Sequence, residues 1–217
     1  MNKTQFIQKR TLFPPVAGRI PGPAVFFTEI RIEAVRKSIH FLIALCPGMA
    51  LISYTLTVLA LTAGISCYIL METLRLSGVK IPLVSVLTVM ASRTRDLDRF
   101  VLGPVTLGVG ALLALLLFPS PVAFIAIYTL AFGDGFASLA GKLFGRCRPA
   151  FLFGKSAEGT FACFVATYLC AYLVSQNITV SLVAAFTAAA VEALPLEDYD
   201  NIALPLIVGA VVQIAMM

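Results

Sequence analysis

Residues 41–71 read FLIALCPGMALISYTLTVLALTAGISCYILM, and not one side chain in the stretch is charged. At about 1.5 Å per residue a helix of this length far exceeds a bilayer core of about 30 Å. The stretch therefore reads as two spans that turn near Ser53-Tyr54-Thr55. Each would be a short helix whose ends snorkelling side chains or local thinning can accommodate. Hydrocarbon offers the backbone no water to bond with, so such runs must be helices rather than open strands or loops. Composition extends the reading to the whole chain. Of 217 residues, 59% are hydrophobic and 12% charged, against about 45–50% and about 25% in ordinary soluble domains. The expected fold class is all-α, a polytopic membrane bundle of about seven transmembrane helices.

Outward from this stretch, further charge-free runs cover Val101 to Phe118, Pro121 to about Ala140, Phe161 to Val174, Ile178 to Val191 and Ile202 to Met217. All 16 Lys and Arg fall in three places, seven in residues 1–40, five in 72–100 and four in 142–155. Two spans between successive basic segments place all three on one face, which the positive-inside rule makes cytoplasmic. The amino terminus is then cytoplasmic and the carboxyl terminus outside. No secretory signal is expected, because Pro14, Pro15, Pro21 and Pro23 break the first 40 residues. Lys3, Lys9, Arg10 and Arg19 are accounted for by orientation and attraction to anionic lipid. Residues 1–28 read as a cytoplasmic segment ahead of an embedded domain, 29–217.

The same parity brings Glu192, Glu197, Asp198 and Asp200 to the cytoplasmic face, although no Lys or Arg follows Phe161. These acids must be solvated, paired across the fold or holding a divalent cation. Cys46, Cys67, Cys163 and Cys170 lie in apolar stretches and read as small apolar side chains. Cys147, between Arg146 and Arg148, is the one candidate for a reactive thiol. The sole histidine, His40, cannot build a zinc cluster alone.

Five constellations then need a reason. Glu33-Ala-Val-Arg36-Lys37-Ser-Ile-His40 puts Glu33 over Lys37 and Arg36 over His40 on a helix, either an interfacial helix with snorkelling bases or an anion-binding wall. Glu72 and Arg75 are three apart, an exposed pair or a functional one. Asp134 interrupts an apolar helix at about 2.5–3.5 kcal/mol, so it is read as functional. Gly133, Ala137, Gly141 and Gly145 give that helix a bare packing stripe, with Asp134, Ser138 and Lys142 beside it. Phe153-Gly-Lys155-Ser156-Ala-Glu158-Gly159-Thr160 opens a span. It is either a capped helix start or a phosphate cradle of free backbone N–H groups, an ammonium and a hydroxyl, although not a P-loop. Glu192, Glu197, Asp198, Asp200 and Asn201 cluster oxygens that Mg²⁺ accepts, or that simply meet solvent.

Taken in order, these residues resemble the CTP-dependent polyprenol, phytol and diacylglycerol kinases, the family that includes dolichol kinase. The matching motifs are E-x-x-R-K-x-x-H from Glu33 to His40, E-x-x-R from Glu72, and G-D-x-x-A-x-x-x-G-x-x-x-G from Gly133 to Gly145. K-S-x-E-G from Lys155 to Gly159, Glu192, and D-N-x-x-x-P from Asp200 to Pro205 complete the set. The resemblance spans roughly 29–217 and implies transfer of the γ-phosphoryl group of CTP to a lipid alcohol. It implies Mg²⁺ held by Asp134 and Asp200 with Glu192, and phosphate met by Lys155, Ser156, Gly159, Arg36, Lys37, Lys142 and Arg75. His40 would lie near the lipid hydroxyl, and Glu33, Glu72, Glu158 and Asn201 would support the site. The partners so implied are CTP, the lipid alcohol and the bilayer, with no nucleic acid. A CTP:phosphatidate cytidylyltransferase is the alternative, disfavoured by the absence of bases after Phe161. A transporter or ion channel would explain intramembrane acids but not basic and acidic motifs gathered on one face.

Overall fold

The computed structural model describes residues 23–78 and 99–217, with side chains from Ile30 onward. Residues 1–22 of the amino-terminal segment lie outside the described residues, as do Lys80, Arg93 and Arg95 of the 72–100 segment. Every regular element among the described residues is helical: α1 Pro23–Ile43, α2 Leu45–Ile52, α3 Tyr54–Leu76, α4 Gly103–Leu117, α5 Val122–Tyr128, a π-turn Thr129–Gly133, α6 Asp134–Leu143, α7 Ala157–Ser175, α8 Ile178–Glu192 and α9 Asp200–Ala215, with single 3₁₀ turns at Ala150–Leu152 and Glu197–Tyr199.

Among the described residues, five helical stretches are long and apolar enough to cross a membrane: Ile30–Ile52, Tyr54–Leu76, Val122–Leu143, Ala157–Ser175 and Glu197–Ala215. Gly103–Leu117 and Ile178–Glu192 are shorter apolar helices. The expected turn near Ser53 is present. Ser53 N–H closes α2 on the Met49 carbonyl at 2.9 Å, and its hydroxyl caps α3 by accepting from Leu56 N–H at 3.3 Å. The expectation of two short helices from residue 41 is corrected. The first helical stretch reaches back through His40 and Glu33, so the charged motif lies within the candidate span rather than at its edge. Pro47 has no N–H for the Ile43 carbonyl, and α1 accordingly breaks at Ala44 before α2 resumes.

The polarity of the bundle is inverted relative to a soluble domain. Leu56, Leu59, Leu70, Phe161, Leu173 and Phe186 are exposed, whereas Glu33, Lys37, His40, Glu72, Asp134 and Glu192 are buried. An apolar exterior around buried charge is what a helical membrane protein presents to lipid.

At the centre, Leu107, Ala111 and Ala114 of α4 pack on Ala123, Ala126, Ile127 and Leu130, while Ile125 joins Cys163, Ala184, Ala188, Leu204 and Val208 from α7, α8 and α9. Close approach of α4 to α9 needs Gly110, where a Cβ would stand 2.0 Å from the Asn201 carbonyl oxygen. Pro205, four residues on, has no N–H to offer that carbonyl. Asn201 completes the joint by donating Nδ2–H to Thr106 Oγ1 at 2.9 Å.

Candidate active site at the crossing of α1 and α6

Helix α6 has two working faces. On one, the small residues admit α7. A Cβ on Gly159 would stand 2.7 Å from the Ala137 carbonyl oxygen, and one on Gly145 2.7 Å from Ser156 Oγ. The packing account of the glycine stripe is therefore sufficient for those residues. On the other face Asp134, Ser138 and Lys142, one turn apart, meet Glu33, Lys37 and His40 of α1, also about one turn apart. The two helices run antiparallel through the pairing.

Lys37 donates from Nζ to Asp134 Oδ2. His40 Nδ1 lies 3.1 Å from the same oxygen, too far off line for a hydrogen bond. Glu33 gathers three groups: the Ser138 hydroxyl donates to Oε1, Arg36 Nη2 donates to it at 2.6 Å, and Lys142 Nζ lies 2.7 Å from Oε2. Lys37 is 2% exposed and Asp134 8%. Charges this deep persist only when paired.

A second group forms where α7 starts against the end of α8. Phe153 (φ 51°) and Gly154 (φ 91°) make a left-handed turn that delivers Lys155. Lys155 donates from Nζ to the Glu192 carbonyl, with Glu192 Oε1 3.2 Å away, and the Thr160 hydroxyl donates to Glu192 Oε2 at 2.9 Å. Two of the free N–H groups expected at this helix start are taken by the protein itself: Gly159 N–H donates to Ser156 Oγ at 3.1 Å and Ala157 N–H to the Cys147 carbonyl at 2.9 Å. Ser156 is the helix cap. Glu158 holds the preceding loop by accepting from Arg146 N–H at 3.0 Å and Cys147 N–H at 3.1 Å.

Asp200 opens α9 half-buried, where the charges of Asp134, Lys37, Lys155 and Arg36 act on it. Cys163, buried in α7, feels the charges of Asp134, Glu192 and Lys155. The structure brings together Glu33, Arg36, Lys37, His40, Asp134 and Lys142 at the α1–α6 crossing, and Lys155 with Glu192 where α7 meets α8. It gives Asn201 to the α4–α9 joint, and Ser156, Glu158 and Gly159 to the start of α7. Glu72 and Arg75 form a separate clamp: Arg75 donates to both Glu72 oxygens at 2.8 Å and to the Arg99 carbonyl at 2.9 Å, while Glu72 accepts from Val101 N–H at 2.9 Å.

No protein-family model, curated protein or solved structure matches this chain.

Three groups in the cluster were not singled out as site residues by sequence reasoning. Ser138 carries the signal of its position four after Asp134. Thr160 closes the Phe153–Thr160 segment, and Cys163 lies in the apolar run behind it with nothing to distinguish it. No three His, Cys, Asp or Glu side chains among the described residues converge as a ready-made metal site. Mg²⁺ takes one or two carboxylates and completes its shell from water and phosphate, and the charge of Asp134 acts on Asp200.

Proposed function

We propose that this chain is a lipid-alcohol kinase that transfers the γ-phosphoryl group of CTP to a membrane-borne hydroxyl. The observation that carries the reading is the buried Lys37–Asp134–His40 group at the α1–α6 crossing, with Asp200 and Lys155 in its field. Phosphoryl transfer needs placed positive charge more than covalent chemistry. Arg36, Lys37, Lys142 and Lys155 supply that charge, and each is held by an acid that an arriving phosphate would compete with. His40 is placed to hold the proton of the acceptor hydroxyl. Asp134 and Asp200 would hold Mg²⁺, which when bound supplies charge neutralisation on the phosphates. CTP as the nucleotide follows from the resemblance.

The reading includes seven spans, with α4 and α8 as the two short ones and the site on the cytoplasmic side. Supporting it, Lys142–Glu33 and Lys155–Glu192 involve the amino-terminal, 142–160 and 192–201 segments, three of the four that seven-span parity sends to one face.

The test is an assay of purified protein in detergent with Mg²⁺, CTP or ATP labelled on the γ-phosphate, and a panel of phytol, farnesol, undecaprenol, dolichol and diacylglycerol. Label in a lipid monophosphate is expected with CTP. Label entering lipid only from the α-phosphate would make the chain a cytidylyltransferase, and no transfer to any lipid would overturn both.

A further inference from the structure

The α1–α6 crossing is one end of a longer seam. α1 packs on α6 and the π-turn, and farther along the same antiparallel pair of stretches α2 packs on α5. At that far end lies a cavity of about 450 Å³, lined by Ala50, Tyr54, Leu115, Ala123 and Phe124. Small-molecule sites have volumes of about 300–1,000 Å³. Leu51 and Leu117 also line it and are exposed, so it opens onto the apolar exterior. The Tyr54 hydroxyl in its wall already donates to the Leu115 carbonyl at 3.1 Å, and an occupant need not satisfy it.

A file of aromatic rings leads from this cavity to the charged crossing. Phe124, Tyr128, Phe132 and Phe136 stand four apart. On a plain α-helix such a file drifts around the axis by about 40° per step. The wider winding of the π-turn at Thr129–Gly133 opposes that drift. Ring centroids are 6.0 Å apart for Tyr128 and Phe132, and 6.2 Å for Phe132 and Phe136. Phe41, the neighbour of His40, joins from α1 at 5.7 Å from Phe132 and 5.3 Å from Phe136. Gly135 admits it, since a Cβ there would stand 2.6 Å from Phe41 Cε1. Ala50 lies ten residues after His40 and Phe124 ten before Asp134. At about 1.5 Å per residue both separations are about 15 Å, half the bilayer core of about 30 Å and so the depth of one lipid chain.

We propose that this seam binds a single hydrocarbon chain, that of the lipid alcohol, with the hydroxyl end at His40 and the far end in the cavity. The assignment of the chain to a substrate rests on the phosphoryl-transfer reading. The file is one ring wide and offers apolar surface with no hydrogen bond to satisfy, which suits one chain rather than the two of a diacyl lipid. Ala50 and Ala123, small residues in the cavity wall, leave room for the far end, so the site selects chains long enough to reach them.

The experiment is photolabelling of the full chain in detergent by hexadecanol carrying a diazirine at its far end or beside its hydroxyl, with labelled residues read by mass spectrometry. The far-end probe is expected to label residues 50–54 and 115–124, and the near-end probe residues 40–41 and 132–136. Excess unlabelled hexadecanol should abolish both. Ala50→Phe, which fills the cavity from a half-buried wall, should lose the far-end label at an unchanged thermal midpoint. Near-end labelling by the octanol probe, too short to reach the cavity, should match the wild type. Label that excess hexadecanol does not displace, or that diacyl phosphatidylcholine displaces equally well, would overturn the site, because bulk lipid would then be the occupant. The phosphoryl-transfer assay separates this failure from that of the kinase reading. Displaceable label at the expected residues without transfer keeps the chain site and removes the kinase, whereas transfer with the far-end label elsewhere keeps the kinase and overturns the site.

Discussion

Asp134 neutralises a buried ammonium and, on the proposed function, also serves the reaction, and substitutions separate the two roles. Asp134→Asn alone leaves Lys37 with a neutral partner in a position that is 2% exposed. Breaking a buried pair from one side costs about 3–5 kcal/mol. The single variant should therefore lose both lipid phosphorylation and thermal stability in detergent. In Lys37→Met/Asp134→Asn both charges are gone, and stability should return while activity does not. Activity regained with stability would reduce the pair to a structural clasp. A second test joins the two halves of the cluster. Lys155→Ala and Asp200→Ala act on one unit if the proposal holds, so in a double-mutant cycle on kcat/KM for CTP the double variant should lose much less than the sum of the singles. Additivity within about 0.5 kcal/mol would place them in separate sites. Asp134 was legible in the sequence because an acid within an apolar helix needs a reason, and Lys37 and His40 because their spacing puts them near one helix face. The identity of their partner was not legible, since 97 positions separate Lys37 from Asp134 and no local rule spans that distance.

Among the elements, α6 is a helix whose opposite sides obey different rules, small residues toward α7 and charge toward α1. The small side should tolerate nothing larger. Gly159→Ala would drive a Cβ to 2.7 Å from the Ala137 carbonyl oxygen, and backbone cannot swing away as a side-chain tip can. Overpacking of this kind costs about 1–3 kcal/mol. Gly48→Ala and Gly64→Ala meet nothing within 4 Å and should leave the midpoint unchanged or raise it, since alanine favours the helix. Equal effects at all three positions would contradict the close approach of α6 and α7. The break at Ser53 was readable because a charge-free run of that length cannot be one span. The true start of the first helical stretch was not, because a boundary drawn at the last charge assumes that charges stay outside. Glu33 and Lys37 are inside because α6 brings them partners. At the start of α7, Lys155-Ser156 looked alike as a cap or as a cradle. The tertiary contact with Cys147, invisible in sequence, takes one of the N–H groups a cradle would need.

For the molecule as a whole, the arrangement of segments predicts which residues share an aqueous side. Cys147 is a native exposed thiol in the 142–160 segment. With the other four cysteines replaced by alanine, Cys147 and a second variant carrying only Asp198→Cys should react with a membrane-impermeant maleimide from the same side of sealed vesicles. Reaction from opposite sides would separate the acids after Glu192 from the bases before α7 and end the shared-site reading.

The α1–α6 pairing also bears on how the chain is made. Glu33, Arg36 and Lys37 leave the ribosome long before Asp134, Ser138 and Lys142 exist, and each unpartnered charge inside the span opposes membrane entry, by up to about 2.5–3.5 kcal/mol at a helix centre. The first helix should therefore wait, poorly integrated, until the sixth arrives to receive it. In a chain ending at Ser120 a cysteine placed in α1 should stay open to a water-soluble maleimide, whereas a chain extended through Gly145 should protect it, making biogenesis of this bundle a delayed handshake rather than a march of helices in order.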